Sequence, residues 1–171
     1  MSADILFAPI FNLTHQSVLL DQLMIFFAKD LIYVIFFLVI IYSLKPNKDN
    51  RKALLLSILS LGLSLILIEI IRLFFYLPRP TIIHGITTLI PSPQEPSFPS
   101  KHTADIFCLV WSYLIYKSKI TLFLLTAGIL IGFSRVFVGV HYPIDIIGGI
   151  LVSGVSVYFI HHLHKLIQKY I

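Results

Sequence analysis

The stretch ALLLSILSLGLSLILIEIIRLFFY, residues 53–76, decides the fold class: its only charges are Glu69 and Arg72, and it is longer than a buried strand or an ordinary core helix needs. A helix rises about 1.5 Å per residue and the hydrocarbon core of a bilayer is about 30 Å thick, so roughly 20 apolar residues span it. Further apolar runs lie on either side, at 31–44, 101–116, 121–133 and 142–159. The chain is 57% hydrophobic and 12% charged, with a mean hydropathy of +0.92, a balance no ordinary soluble domain keeps. The expectation is an all-α integral membrane bundle of about five transmembrane helices, forming a single domain over residues 1–171.

Residues 12–28 alternate apolar side chains with Thr14, His15, Gln16, Ser17, Asp21 and Gln22, the pattern of an amphipathic helix in the interface. Two versions stay open here: an interfacial helix followed by a span, or one long tilted helix from Val18 onward. Residues 45–52 hold Lys45, Lys48, Arg51 and Lys52 against Asp49, which marks a cytoplasmic loop. Lys117 and Lys119, then Lys165 and Lys169, fall on the same side when crossings are counted. The net charge of +5 therefore reads as a topology signal and not as a nucleic-acid surface. Met1 to Ala8 contains Asp4 and no Lys or Arg, so insertion is expected to rely on internal spans. Pro78 and Pro80 end the second span, and 81–99 is expected to be an extended loop with no helix. Cys108 lies inside an apolar run with no cysteine partner and reads as a packing residue.

Polar residues at the ends of spans are costly and need a reason. They gather in three clusters, all mapped to the outer side: Arg72 with Pro78-Arg79-Pro80; Pro99-Ser100-Lys101-His102; and Ser134-Arg135 with His141 and Asp145. Arg72, Arg79, Lys101 and Arg135 are cations suited to phosphoryl oxygens. Ser100 and Ser134 offer hydroxyls, and a helix starting after Ser100 offers backbone N–H groups. Asp145, one turn after His141, can accept from Nδ1–H and leave Nε2 as a nucleophile, with His102 available to protonate a leaving oxygen. Two histidines and one aspartate among four cations make a poor divalent-metal site, so neither metal nor cofactor is expected.

These clusters resemble the motifs of the type 2 phosphatidic acid phosphatase superfamily, which shares its core with vanadium haloperoxidases. Lys-x6-Arg-Pro is matched by Arg72 to Pro80 with arginine in place of lysine. Pro-Ser-Gly-His is matched at 99–102 with Lys101 for glycine, and Ser-Arg-x5-His-x3-Asp is matched in full by Ser134, Arg135, His141 and Asp145. The resemblance implies a phosphohistidine at His141, a general acid at His102, and a metal-free phosphate cradle of Arg72, Arg79, Ser100 and Arg135. Lys101 then becomes a candidate contact to a second phosphate. The blocks 98–103 and 132–145 look most like bacitracin-resistance-type undecaprenyl-diphosphate phosphatases, which implies a lipid-linked diphosphate substrate and an active site on the outer face of the plasma membrane.

Blander readings stand beside these. His141 with Asp145 can be a structural cap, Arg72 an interfacial arginine beside Phe74, Phe75 and Tyr76, and Lys101 a solvated lysine. Glu69, three residues before Arg72, either orients it or forms a plain ion pair. Asp105 reads as a polar neighbour. Gly128 and Gly132 suit packing within the bundle more than a homodimer, and His161, His162 and His164 suit a membrane-exit tail. The rival functions are a broader phosphatase acting on phosphatidate or phosphatidylglycerol phosphate, and a non-hydrolytic transporter of lipid phosphates.

Overall fold

The computed structural model describes residues 4–84 and 86–170, all helix, turn or irregular loop. Its helices are α1 (Asp4–Phe11), α2 (Val18–Lys29), α3 (Leu31–Leu44), α4 (Lys48–Phe74), α5 (Pro80–His84), α6 (Lys101–Ile115), α7 (Thr121–Phe137) and α8 (Pro143–Tyr170). Residues 1–3 of the N-terminal stretch expected to lack a signal sequence lie outside the described residues.

Among the described residues, two helices are long and apolar enough to cross a bilayer alone, Lys48–Phe74 and Pro143–Gln168. The pair α2 and α3 makes a third path, bent by 52° at the break between them. Helices α6 and α7 have 15 and 17 residues, so they reach only about 22–26 Å. The expectation of five spans counted both of these. α6 is the centre of the bundle, packed against α4, α7 and α8.

Burial follows a membrane pattern. The outer faces carry Leu55, Ile58, Ile66 and Leu73 on α4, and Tyr33, Phe37 and Leu44 on α3, all exposed. Water would not tolerate an apolar surface of this extent, whereas lipid does. Small hydroxyl residues lie inside instead: Ser57, Ser60 and Ser64 on α4, and Ser153 and Ser156 on α8, are buried. They let backbones approach, and Ser57 and Ser64 donate to carbonyls of their own helix, Leu54 O at 2.7 Å and Leu61 O at 2.9 Å. Gly128 packs on the Phe107 ring and Gly132 on Ile146, so both face neighbours within the bundle. Cys108 is fully buried.

Several boundaries differ from the sequence reading for local reasons. The amphipathic segment expected over 12–28 is split: 12–16 is a turn, and α2 starts only after Ser17, whose hydroxyl accepts from Leu20 N. The same segment and the first span are two helices broken at Asp30. α4 begins inside the basic loop because Asn47 Oδ1 accepts from Asp49 N (2.9 Å) and Asn50 N (3.2 Å). The loop expected throughout 81–99 opens with the short helix α5, since Pro80 at a first helical position loses no hydrogen bond and Arg79 O accepts from Ile82 N and Ile83 N.

The two ends of the bundle are chemically distinct. At one end Ser118 Oγ donates to Asn50 Oδ1 (2.9 Å), tying the loop with Lys117 and Lys119 to the start of α4. Lys52 and Tyr116 share a cavity there with His161 and His164 of α8. The opposite end holds the C-terminal ends of α4 and α7 and the N-terminal ends of α6 and α8.

Candidate active site

Three separate stretches of chain meet at that opposite end, and glycines in α8 make the meeting possible. The Phe98 ring lies where a side chain at Gly148 would project, and Ser100 O would stand 2.7 Å from a Cβ at Gly149. The loop before α6 can therefore press onto α8, where Ser100 N donates to Asp145 O (3.0 Å). Between α7 and α8, Gly139 takes φ +85°, with Phe11 and Thr88 close around it. This turn brings the chain back so that His141 follows Arg135 by less than two helical turns of sequence.

His141 and Asp145 form a tight unit. Asp145 Oδ2 accepts from His141 Nδ1 at 3.0 Å and from Tyr142 N at 2.9 Å, while Oδ1 accepts from Ser97 Oγ at 3.4 Å. Asp145 is fully buried and His141 2% exposed. Burial lowers the His141 pKa well below the usual histidine value, and the Arg135 and Arg79 charges lower it further. The imidazole is thus neutral, with its proton on Nδ1 and its lone pair on Nε2, the state a nucleophile requires.

A cavity of about 190 Å³ opens beside Nε2, lined by His141, His102, Arg72, Arg79, Arg135 and Lys101 together with Glu95, Asp105, Leu65 and Pro93. Arg79 Nη1 lies 3.4 Å from His141 Nε2 and donates to Val140 O at 2.8 Å; its Nε donates to Glu95 O at 2.9 Å. Burial, then the Arg72 charge, lower the Arg79 pKa. Arg135 Nη1 donates to Ala28 O on α2 (3.0 Å), and Arg72 Nη2 to Pro99 O (3.2 Å). The Nε atoms of Arg72 and Arg135 are buried without a protein partner. Arg79 and Arg135, held by neutral carbonyls, and the spare donors of Arg72 and Arg135 form a site for an anion.

The motif residues expected at the site divide into three groups. Arg72, Arg79, Lys101, His102, Arg135 and His141 line the cavity, and Asp145 stands directly behind His141. Ser100 and Ser134 are fully buried and serve the helices: Ser100 Oγ accepts from Thr103 N and Thr103 Oγ1, and Ser134 Oγ donates to Ile131 O. Glu69 is 3.7 Å from Arg72 but 2.8 Å from Lys101 Nζ, so it orients the lysine more closely than the arginine. Lys101 Nζ also meets Glu95 Oε2 at 3.0 Å, and Glu95 Oε2 accepts from Arg72 Nη1 at 2.8 Å. The hydrogen bond from Lys101 holds the Glu95 pKa below the usual carboxylate range, followed in effect by Arg72.

Glu95 and Ser97 belong to none of the three motifs, and sequence reasoning misses them. Glu95 is the sole acidic residue between Leu77 and Ser100, a signal that was available; Ser97 carried none. Asp105, read as a polar neighbour, lines the cavity with a buried Oδ1 that has no partner. Among the described residues, no three His, Cys, Asp or Glu side chains are grouped to hold a metal.

The chain is 30% identical to an undecaprenyl-diphosphatase BcrC of Bacillus subtilis, over 97% of this chain and 86% of the relative. Its structure superposes on that of Aquifex aeolicus LpxE with a TM-score of 0.74, at 31% identity, covering 92% of this chain and 93% of the other. A PAP2-type phosphatidylglycerolphosphate phosphatase from Bacillus subtilis shares the fold at 18% identity, with a TM-score of 0.73 over 97% of this chain and 86% of that one. Residues 53–169, which carry every motif residue of the cavity, match the PAP2 superfamily, and the chain belongs to that family of membrane phosphatases.

Proposed function

We propose that the chain hydrolyses a lipid-linked diphosphate, undecaprenyl diphosphate, to the lipid monophosphate and inorganic phosphate. The observation that carries this reading is the neutral His141, locked by Asp145 and opening onto a cavity with three arginines and His102. His141 Nε2 attacks the terminal phosphorus, the P–O bond to the lipid phosphate breaks, and His102 protonates the departing oxygen. Water then attacks the phosphohistidine, His102 takes its proton, the P–N bond breaks, and His141 returns to its neutral state. Arg72, Arg79 and Arg135 stabilise the charge on the transferring phosphoryl group, with no metal or cofactor.

The active site faces the extracellular or periplasmic side of the plasma membrane in this reading. Its support is the placement of Lys52, Lys117 and Lys119 at the end of the bundle remote from His141, which the positive-inside rule assigns to the cytoplasm. A homodimer through Gly128 and Gly132 has no support in their contacts, which are made within the bundle. A broader lipid phosphatase remains the second reading, favoured by the fold shared with the phosphatidylglycerolphosphate phosphatase.

The test is phosphate release in detergent from undecaprenyl diphosphate and from phosphatidate, with the native chain, with His141→Ala, and with chelator present. Release from the diphosphate that survives chelation and disappears in the variant is expected. Faster release from phosphatidate would move the assignment to the broader phosphatase, and no release from a folded chain would favour the transporter.

A further inference from the structure

The catalytic cavity has a neighbour. A second cavity, of about 320 Å³, is lined by Lys29, Asp30, Tyr33 and Ile90 and shares Pro93, His102 and Arg135 with the first. Its walls include the break between α2 and α3, where Arg135 grips Ala28 O and so ties the phosphate cradle to the residue just before Lys29. His141, Arg72 and Arg79 do not reach it.

In an in-line displacement the nucleophile and the leaving oxygen stand on opposite sides of the phosphorus. The leaving oxygen therefore faces away from His141 and toward His102, which protonates it. Whatever is attached to that oxygen lies beyond His102, and the second cavity is the space there that His102 and Arg135 border and His141 does not.

The cations near the site differ in how they are engaged. Lys101 is held by two carboxylates, Glu69 at 2.8 Å and Glu95 at 3.0 Å. Lys29 is exposed, and among the described residues no carboxylate lies within 4.0 Å of it. Asp30, also at the cavity, is the residue preceding α3, where the positive end of the helix offsets its charge. Resting on the lipid-diphosphate reading above, we propose that the second cavity is the subsite for the leaving phosphate of the diphosphate, with Lys29 as its cation and Arg135 bridging the two phosphates. Lys101 instead belongs to an internally neutralised cluster at the other mouth.

The experiment uses the full chain in detergent with Lys29→Met, Lys29→Arg and Lys101→Met, and compares a prenyl diphosphate with the matching prenyl monophosphate. Lys29→Met is expected to raise KM for the diphosphate relative to that for the monophosphate about tenfold, the size of one charge-assisted contact. Lys29→Arg should restore the ratio, and Lys101→Met should leave it within about twofold. A Lys29→Met effect equal on both substrates, or a diphosphate-selective loss from Lys101→Met, would overturn the assignment. A binding arm separates this proposal from the hydrolytic reading: pyrophosphate and phosphate are titrated calorimetrically into the His141→Ala chain. Tighter binding of pyrophosphate that Lys29→Met abolishes supports the subsite even if the native chain hydrolyses no diphosphate. Equal binding of the two anions, or a preference that survives Lys29→Met, contradicts it.

Discussion

The inner and outer halves of the cavity both bring cations beside carboxylates, and they engage them in opposite ways. Around His141, Arg79 and Arg135 are buried and spend hydrogen bonds on neutral carbonyls, while the carboxylate of Asp145 is occupied by His141, Tyr142 and Ser97. At the mouth, Lys101 and Arg72 already pair with Glu69 and Glu95, whose side chains are both 58% exposed. Buried cations without carboxylate partners attract an incoming dianion strongly, because little water screens them. At the mouth the positive charge is already offset by carboxylates that are themselves largely exposed, and pairs open to water on one side contribute little. The chemistry should therefore depend steeply on the inner cations and weakly on the outer carboxylates, Glu69 and Glu95.

The largest break in that contrast comes from Arg79→Met or Arg135→Met, each expected to lower kcat about 10²–10³-fold, as loss of one preorganised donor to a developing charge does. Steady-state kinetics on a lipid diphosphate would show it, and a loss under about tenfold would remove the distinction. The next effect is on stability. The folded chain keeps His141 neutral, whereas the unfolded chain takes up a proton near the usual value of about 6.5. Stability from this residue is thus complete above that pH and lost progressively below it. Thermal unfolding of the native chain should fall more steeply between about pH 7.5 and about pH 5.5 than that of His141→Asn, and parallel curves would contradict the buried neutral state. The smallest effect is at Glu95→Gln, expected to change kcat/KM by less than about fivefold and stability by under about 1 kcal/mol. A larger loss would show that the outer pair positions Arg72 for catalysis.

Much of this organisation is legible in the chain. Apolar runs interrupted only at their ends gave the helices, because lipid forces the backbone to satisfy its own hydrogen bonds. The three motifs name six of the side chains that line the cavity, since Arg72, Arg79, Lys101, His102, Arg135 and His141 sit at helix ends whose positions a span count predicts. The bend at Asp30 was not legible, because neither glycine nor proline marks it. Glu95 has its role through Arg72, 23 residues away, and through Lys101, and loop contacts of this kind leave no period in the sequence. Ser100 and Ser134 show the converse: their motif membership suggests phosphate contacts, while their hydroxyls are used in capping α6 and bonding within α7.

The central claim is that His141 carries the phosphoryl group. Brief reaction with lipid diphosphate labelled at the terminal phosphate, followed by rapid denaturation, tests it directly. An acid-labile, alkali-stable label is expected on the native chain and none on His141→Ala; label retained by that variant, or hydrolysis by it at the native rate, would show that another group takes the phosphoryl.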